Sequence, residues 1–274
     1  MKIEQRYREF IPESRRIIIK IGTRVIAQPS GRPDLVQLRK IIQQLAALRK
    51  RGYQVLVVTS GAIGAGMEIL GLKERPKAVP DLQMCAAVGQ ARLMAHYETF
   101  FAKEKLIVGQ VLLTHADLQH RIRVANVRRN LEHLLRAGVI PIINENDVVA
   151  DEEIKADLSL GDNDFLASLI VKLVRADLLV LLSTVDGVLA PTGPKKAMQR
   201  ISCIEQFTKE IHDLIMPPAA GGISKGGMDS KLTAAQAAAK AGCTVVIANG
   251  RQDNVLTDCL EGKDIGTLIL STVL

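Results

Sequence analysis

Short runs of consecutive aliphatic residues alternate along this chain with longer stretches whose apolar residues recur every three or four positions. Ile17-Ile18-Ile19-Lys20-Ile21-Gly22 reads as a short buried strand ending in a glycine turn. From 34 to 51, Leu35, Leu38, Ile41, Ile42, Leu45 and Leu48 fall at helical spacing, with Asp34 placed to cap the start and Gly52 to stop the end. QVLVVTS is the next buried strand, followed by the glycine-rich GAIGAG. Residues 83–103 are expected to be helical, IVGQVLL to be a strand, 123–137 to be helical again, and VIPII to be a fourth strand. After Gly161 the pattern predicts a helix and then the strand DLLVLLS. A looser region over 190–224 holds Pro191, Pro194, Pro217 and Pro218. A helix over about 228–241, the strand CTVVIAN and a last strand in GTLIL complete the order.

Strands alternating with helices imply an α/β fold: an open, mostly parallel central sheet with helices on both faces, a three-layer αβα sandwich. The chain shows no internal repeat and no low-complexity tract, and its 274 residues are expected to form a single domain, 1–274. Residues 148–160 look like an insertion or hairpin. In open α/β sheets, ligands sit outside the carboxyl ends of the strands. Four polar or glycine-rich segments fall at such ends: Lys20 to Thr23, Ser60 to Ala62, Asn144 to Asp147, and Ser183-Thr184.

Composition narrows this picture in three ways. Hydrophobic residues make up 47% of the chain while aromatics make up 3% and Trp is absent, so the core rests on Leu, Ile, Val and Ala, as suits a covered parallel sheet. The net charge is +7 although 142–164 is strongly acidic, so the remainder is more basic still and favours anionic ligands. A basic motif interleaved with aromatics is lacking, and a nucleic-acid partner is not expected. Cys85, Cys203, Cys243 and Cys259 are widely spaced, which suits neither a zinc site nor a disulfide framework and points to a reducing, cytoplasmic compartment. The charged start MKIEQRYREF resembles no signal peptide, and no apolar run reaches membrane-spanning length.

The candidate chemistry concentrates in IINENDVVADEEIKADLSLGDND, residues 142–164. Its carboxamides and carboxylates suit a metal site, a pocket for a cationic or amino substrate, or a solvated hairpin. No Walker A sequence occurs, and GAIGAG has the wrong glycine order for a dinucleotide fingerprint, although a glycine turn opening a helix can cradle an anion. Lys20, inside a run of isoleucines, must either snorkel to water at an edge strand or meet a negative partner. Lys225 and Lys231 flank GGMDS, a flexible glycine pair leading into a helix that can close over phosphates or lie on the surface.

Taken together, IIIKIGT, VVTSGAIGAG, IPIINENDVV, GDNDFLAS and GGMDSKLTAA resemble, in order and spacing, the amino acid kinase family, and within it the kinases that phosphorylate glutamate. The likeness runs from about Ile17 to Gly250. It implies transfer of the ATP γ-phosphoryl group to the side-chain carboxylate of L-glutamate at the entry to proline synthesis. By that resemblance Lys20 and Lys231 would contact the transferring group from two sides, and Asp164 would orient them. Gly22 and Gly61 would offer backbone N–H groups to phosphoryl oxygens. Ser60, Gly61, Asn144, Asp147 and Asn163 would hold glutamate, with Asp147 facing its ammonium group. Ser183, Thr184, Lys225, Gly226, Gly227 and Met228 would contact the nucleotide. Mg²⁺ would be carried mainly by ATP oxygens, so no protein metal cage is expected.

The sequence departs from the family in two places. Ser183-Thr184 stands where Thr-Asp is usual, and Ser224-Lys225 where the nucleotide loop usually has Gly-Thr. A C-terminal domain resembling RNA-modification modules, common in the family, is expected to be missing. A homo-oligomer is expected, with the helix face over 84–103 suited either to a dimer or to packing against the sheet. The resemblance further implies proline as a feedback inhibitor, with 114–130 near such a regulatory surface. The other readings are a related carboxylate or carbamate kinase, and a non-catalytic glutamate or proline sensor on the same fold.

Overall fold

The structure, a computed structural model, describes residues 3–149, 163–192, 197–209, 211 and 228–272. Its elements run α1 (Ile3–Arg8), β1 (Arg16–Ile21), α2 (Leu35–Lys50), β2 (Gln54–Val58), α3 (Ala62–Ile69), α4 (Val79–Lys103), β3 (Val108–Leu113), α5 (His115–Gln119), α6 (Arg121–Arg136) and β4 (Ile140–Glu145). The chain continues with α7 (Asn163–Val174), β5 (Leu178–Ser183), β6 (Leu189–Thr192), β7 (Ala197–Arg200), β8 (Cys203–Ile204), α8 (Met228–Lys240), β9 (Thr244–Asn249), α9 (Val255–Leu260) and β10 (Thr267–Ile269).

Eight strands form one sheet in the order β3-β4-β2-β1-β5-β9-β10-β8. The first six in that order are mutually parallel, and β10 turns antiparallel to β9. The isoleucine run of β1 therefore lies in the interior of the sheet, with Lys20 registered against Val58 on one side and Leu181 on the other. The edge-strand alternative for Lys20 is thereby removed.

Because successive strand side chains point to opposite faces, β1 divides its residues between two cores. Ile17, Ile19 and Ile21 pack with Leu38, Ile41 and Leu45 of α2 and with Leu93, Tyr97 and Phe101 of α4. Ile18 packs on the other face with Ala167, Ile170 and Val174 of α7 and with Leu232, Ala235 and Ala238 of α8. Three layers result, as the alternation of patterns implies. Lys20 is in phase with Ile18, which places it on the face that α7 and α8 cover.

The strongly periodic elements lie close to where the sequence puts them. α4 begins earlier than 83, at Val79, with Pro80 in its first turn, where the missing N–H has no helical partner to lose. Expectation falls short in α3, α5, α9 and the antiparallel β6–β7 hairpin inside the looser region. These pieces are short, and the outer strand Ala197–Arg200 is largely exposed, so apolar periodicity leaves little mark on them. Of the expected 148–160 hairpin, Val148 and Val149 are described and exposed; 150–160, with Glu152, Glu153 and Asp157, lies outside the described residues.

α3 and α4 approach more closely than side chains would permit. A Cβ on Gly66 would sit 1.9 Å from the Cys85 carbonyl oxygen, and one on Gly89 would sit 1.8 Å from that of Ala62. The glycines let the two helix backbones touch, which fixes the GAIGAG turn against α4. Gly89→Ala should therefore force the helices apart and cost about 1–3 kcal/mol. A urea unfolding curve checks this: a lower midpoint at unchanged slope is expected, and an unchanged midpoint would show that the contact is dispensable.

Candidate active site

The phase of β1 brings Lys20 to the first turns of α7 and α8. Asp164 is the second residue of α7, and Lys231 the fourth of α8. Lys20 Nζ lies 2.6 Å from Asp164 Oδ1 and Lys231 Nζ lies 2.7 Å from Asp164 Oδ2. The three are nearly inaccessible, at 2%, 0% and 7% exposure. Burying charges is costly unless they are paired, and one carboxylate bridging two ammonium groups meets that requirement. The cluster as a whole keeps one excess positive charge, so it attracts an anion placed between the lysines.

A second, neutral cluster adjoins it through the chain neighbour of Asp164. Asn163 Nδ2 donates to the Thr59 carbonyl at 2.7 Å, to Ser60 Oγ at 2.8 Å and to Asn144 Oδ1 at 3.0 Å. Asn144 Nδ2 in turn donates to Gln90 Oε1 at 2.8 Å. Strand alternation explains the geometry at the end of β2. Val58 belongs to the α7–α8 face. Thr59 turns to the α4 face, where its hydroxyl is 2.7 Å from that of Tyr97, and Ser60 turns back to Asn163. Burial raises the pKa of Tyr97, and its bond to Thr59 opposes this only in part, so the phenol stays neutral at working pH.

Beside these amides lies a pocket of about 320 Å³ lined by Ala62, Gln90, Gln110, Glu145, Asn146 and Asp147, among others. Its rim carries acceptors suited to an ammonium group, and its wall at Ala62 and Gln90 is set by the α3–α4 contact. A larger depression of about 670 Å³ between α6 and α7, rimmed by Arg121, Arg128, Arg129, Arg136 and Lys172, shares no lining residue with it. Among the described residues, no three His, Cys, Asp or Glu side chains gather as a metal-binding group, and no helix is long and apolar enough to cross a membrane.

Most residues singled out from the sequence converge on this edge of the sheet. Lys20, Asp164 and Lys231 form the charged cluster, Ser60, Asn144 and Asn163 the amide cluster, and Asp147 lines the pocket. Gly61 holds the left-handed conformation, φ +106°, at the turn into α3, where a side chain would be strained. The Gly22 N–H is engaged with the Leu182 carbonyl at 3.4 Å, so its expected role as an anion donor competes with a sheet contact. Ser183 and the exposed Thr184 stand at the end of β5, and the nearby Asp186 is held by Asn249 and Gln252. Met228 opens α8; Lys225, Gly226 and Gly227 lie outside the described residues. Sequence reasoning missed Thr59, Gln90 and Tyr97. The signal was present on α4: Gln90 and Tyr97 share the face of Leu93 and Phe101, so polar groups stood on an apolar stripe.

A profile of the Amino acid kinase family matches residues 15–249. The chain belongs to the amino acid kinase family. Among its relatives, the glutamate 5-kinase of Moorella thermoacetica is 43% identical over 97% of this chain and 70% of its own length. The glutamate 5-kinase of Clostridium acetobutylicum is 40% identical over 96% of this chain and 97% of its own. That of Symbiobacterium thermophilum is 44% identical over 95% and 98%.

Removing the central carboxylate leaves two buried ammonium groups facing each other. Asp164→Asn is expected to destabilise the ligand-free protein by about 3–5 kcal/mol, read as a lowered denaturant midpoint. A change below about 1 kcal/mol, the range of exposed pairs, would show that the lysines reach solvent without it.

Proposed function

We infer that this chain transfers the γ-phosphoryl group of ATP to the side-chain carboxylate of L-glutamate, giving γ-glutamyl phosphate and ADP, the entry to proline synthesis. The observation that carries this reading is the buried Lys20–Asp164–Lys231 cluster at the same sheet edge as a pocket lined by Glu145 and Asp147. The relatives named glutamate 5-kinase supply the choice of amino acid.

The acceptor carboxylate is already ionised at neutral pH, so the reaction needs no general base. A carboxylate oxygen forms the new O–P bond as the β,γ-bridging oxygen departs with ADP. What the protein must supply is a place where two anions approach and where charge on the transferring group is offset. In this reading Lys20 meets that group from the glutamate side and Lys231 from the nucleotide side, while Asp164 holds both ammonium groups in place. Gly22 and Gly61 border the phosphoryl group. Ser60, Gly61, Asn144 and Asn163 line the path of the glutamate chain, and Asp147 takes its ammonium. Ser183, Thr184 and Lys225 to Met228 form the nucleotide side. Mg²⁺ bound to ATP offsets phosphate charge, and the engagement of Asp164 by both lysines favours ATP oxygens over Asp164 as its main ligands.

The same reading extends to regulation and assembly. L-Proline carries the α-carboxylate and a protonated amine, so it competes for the pocket at Asp147. A second copy of the chain covers the exposed side of α4 around Met84 and Ala87, and the compartment is the cytoplasm, a choice supported by four cysteines joined by no disulfide.

Trapping the acyl phosphate with hydroxylamine tests the reaction across glutamate, aspartate and N-acetylglutamate. Turnover with glutamate alone is expected; binding without turnover would point to a sensor. Lys20→Ala and Lys231→Ala should each lower kcat by about a hundredfold or more with little effect on glutamate binding, and near-normal kcat in either would remove that lysine from the reaction. Asp147→Ala should raise the KM for glutamate roughly tenfold or more; an unchanged KM would exclude its ammonium role.

A further inference from the structure

One backbone atom sets the orientation of every amide in the neutral cluster. Amide oxygen and nitrogen are told apart by their partners, and the Thr59 carbonyl can only accept, so the Asn163 atom 2.7 Å from it is the nitrogen. That nitrogen also donates to Asn144, which therefore presents its oxygen there and turns its own nitrogen to Gln90. Gln90 must then accept through Oε1, which leaves Nε2 facing away from Asn144. Gln90 Nε2 is buried and has no hydrogen-bond partner among the described residues, although Gln90 lines the pocket that also holds Asp147. A buried amide donor without an acceptor is unfavourable and calls for a ligand atom. What suits it is an acceptor, best an anionic one.

We propose that Gln90 determines specificity by donating its side-chain amide to the α-carboxylate of the acceptor amino acid. The inference rests on the reading of that acceptor as glutamate, and it assigns the part of the molecule that is not phosphorylated. Asp147 takes the α-ammonium and Gln90 Nε2 the α-carboxylate, so the two distinguish an α-amino acid from a simple carboxylic acid. The side-chain carboxylate is left to the lysines.

The discriminating variant is Gln90→Glu. It keeps an oxygen for Asn144 but replaces the buried, unpartnered donor with a second carboxylate oxygen. If Gln90 served only to position Asn144, this variant would behave as wild type. The expected result is instead a KM for L-glutamate raised tenfold or more, with the KM for ATP unchanged. 4-Aminobutyrate, which keeps the amine and reacting carboxylate but lacks the α-carboxylate, should be unaffected, measured as turnover or as competition against L-glutamate. Gln90→Met provides a second test: it should penalise L-glutamate more than 4-aminobutyrate. An unaltered glutamate KM in Gln90→Glu, or equal losses for both ligands in Gln90→Met, would overturn the assignment while leaving glutamate phosphorylation intact. A wild-type protein without glutamate turnover would overturn both.

Discussion

A carboxylate with no exposed surface, held between two ammonium groups, is the constraint on which the rest of this protein depends. Asp164 reaches Lys20 and Lys231 only if β1 lies inside the sheet with Lys20 on the α7–α8 face, and only if both helices begin at the carboxyl edge of the strands. Removing any of these conditions leaves a charge buried without a partner. The order of the sheet, the phase of the isoleucine run and the starting points of two helices are thus requirements of one ion-paired cluster.

Asn163 and Asp164 are consecutive residues that serve different halves of the site. Asn163 joins the amides beside the pocket that Asp147 lines, while Asp164 joins the two lysines to which the proposed reading gives the phosphoryl group. A rotation of the first turn of α7 would disturb both halves together. The neighbouring wall is held differently, by the glycine-mediated contact of α3 with α4. Two rigid helical supports therefore meet at the pocket.

Much of this was legible in the sequence because buried parallel strands write themselves as aliphatic runs, and because strand ends locate ligand sites. Lys20, Ser60, Asn144 and Ser183 each follow or interrupt such a run, and the sheet order brings them to one edge. Gln90, Thr59 and Tyr97 escaped notice because their roles depend on which strand each helix covers, which periodicity does not specify. The small hairpin of β6 and β7 escaped for a different reason: half of it faces water, so burial imposes no pattern. The antiparallel turn of β10 against β9 likewise follows from chain reversal after α9 rather than from the composition of GTLIL.

The row of amides from Thr59 to Gln90 has a direction, and that direction gives the pocket wall a sign without giving it a charge. A lysine or arginine in the same place would present a donor too, but it would carry a full charge into a site already crowded with cations. Under the proposed function it would also compete for the γ-phosphate. An amide does neither, and it does not titrate over the pH range in which enzymes work. Under the proposed assignment the wall attracts one carboxylate of a dicarboxylic amino acid while leaving the other to the lysines, so that the molecule enters in one orientation and not the reverse.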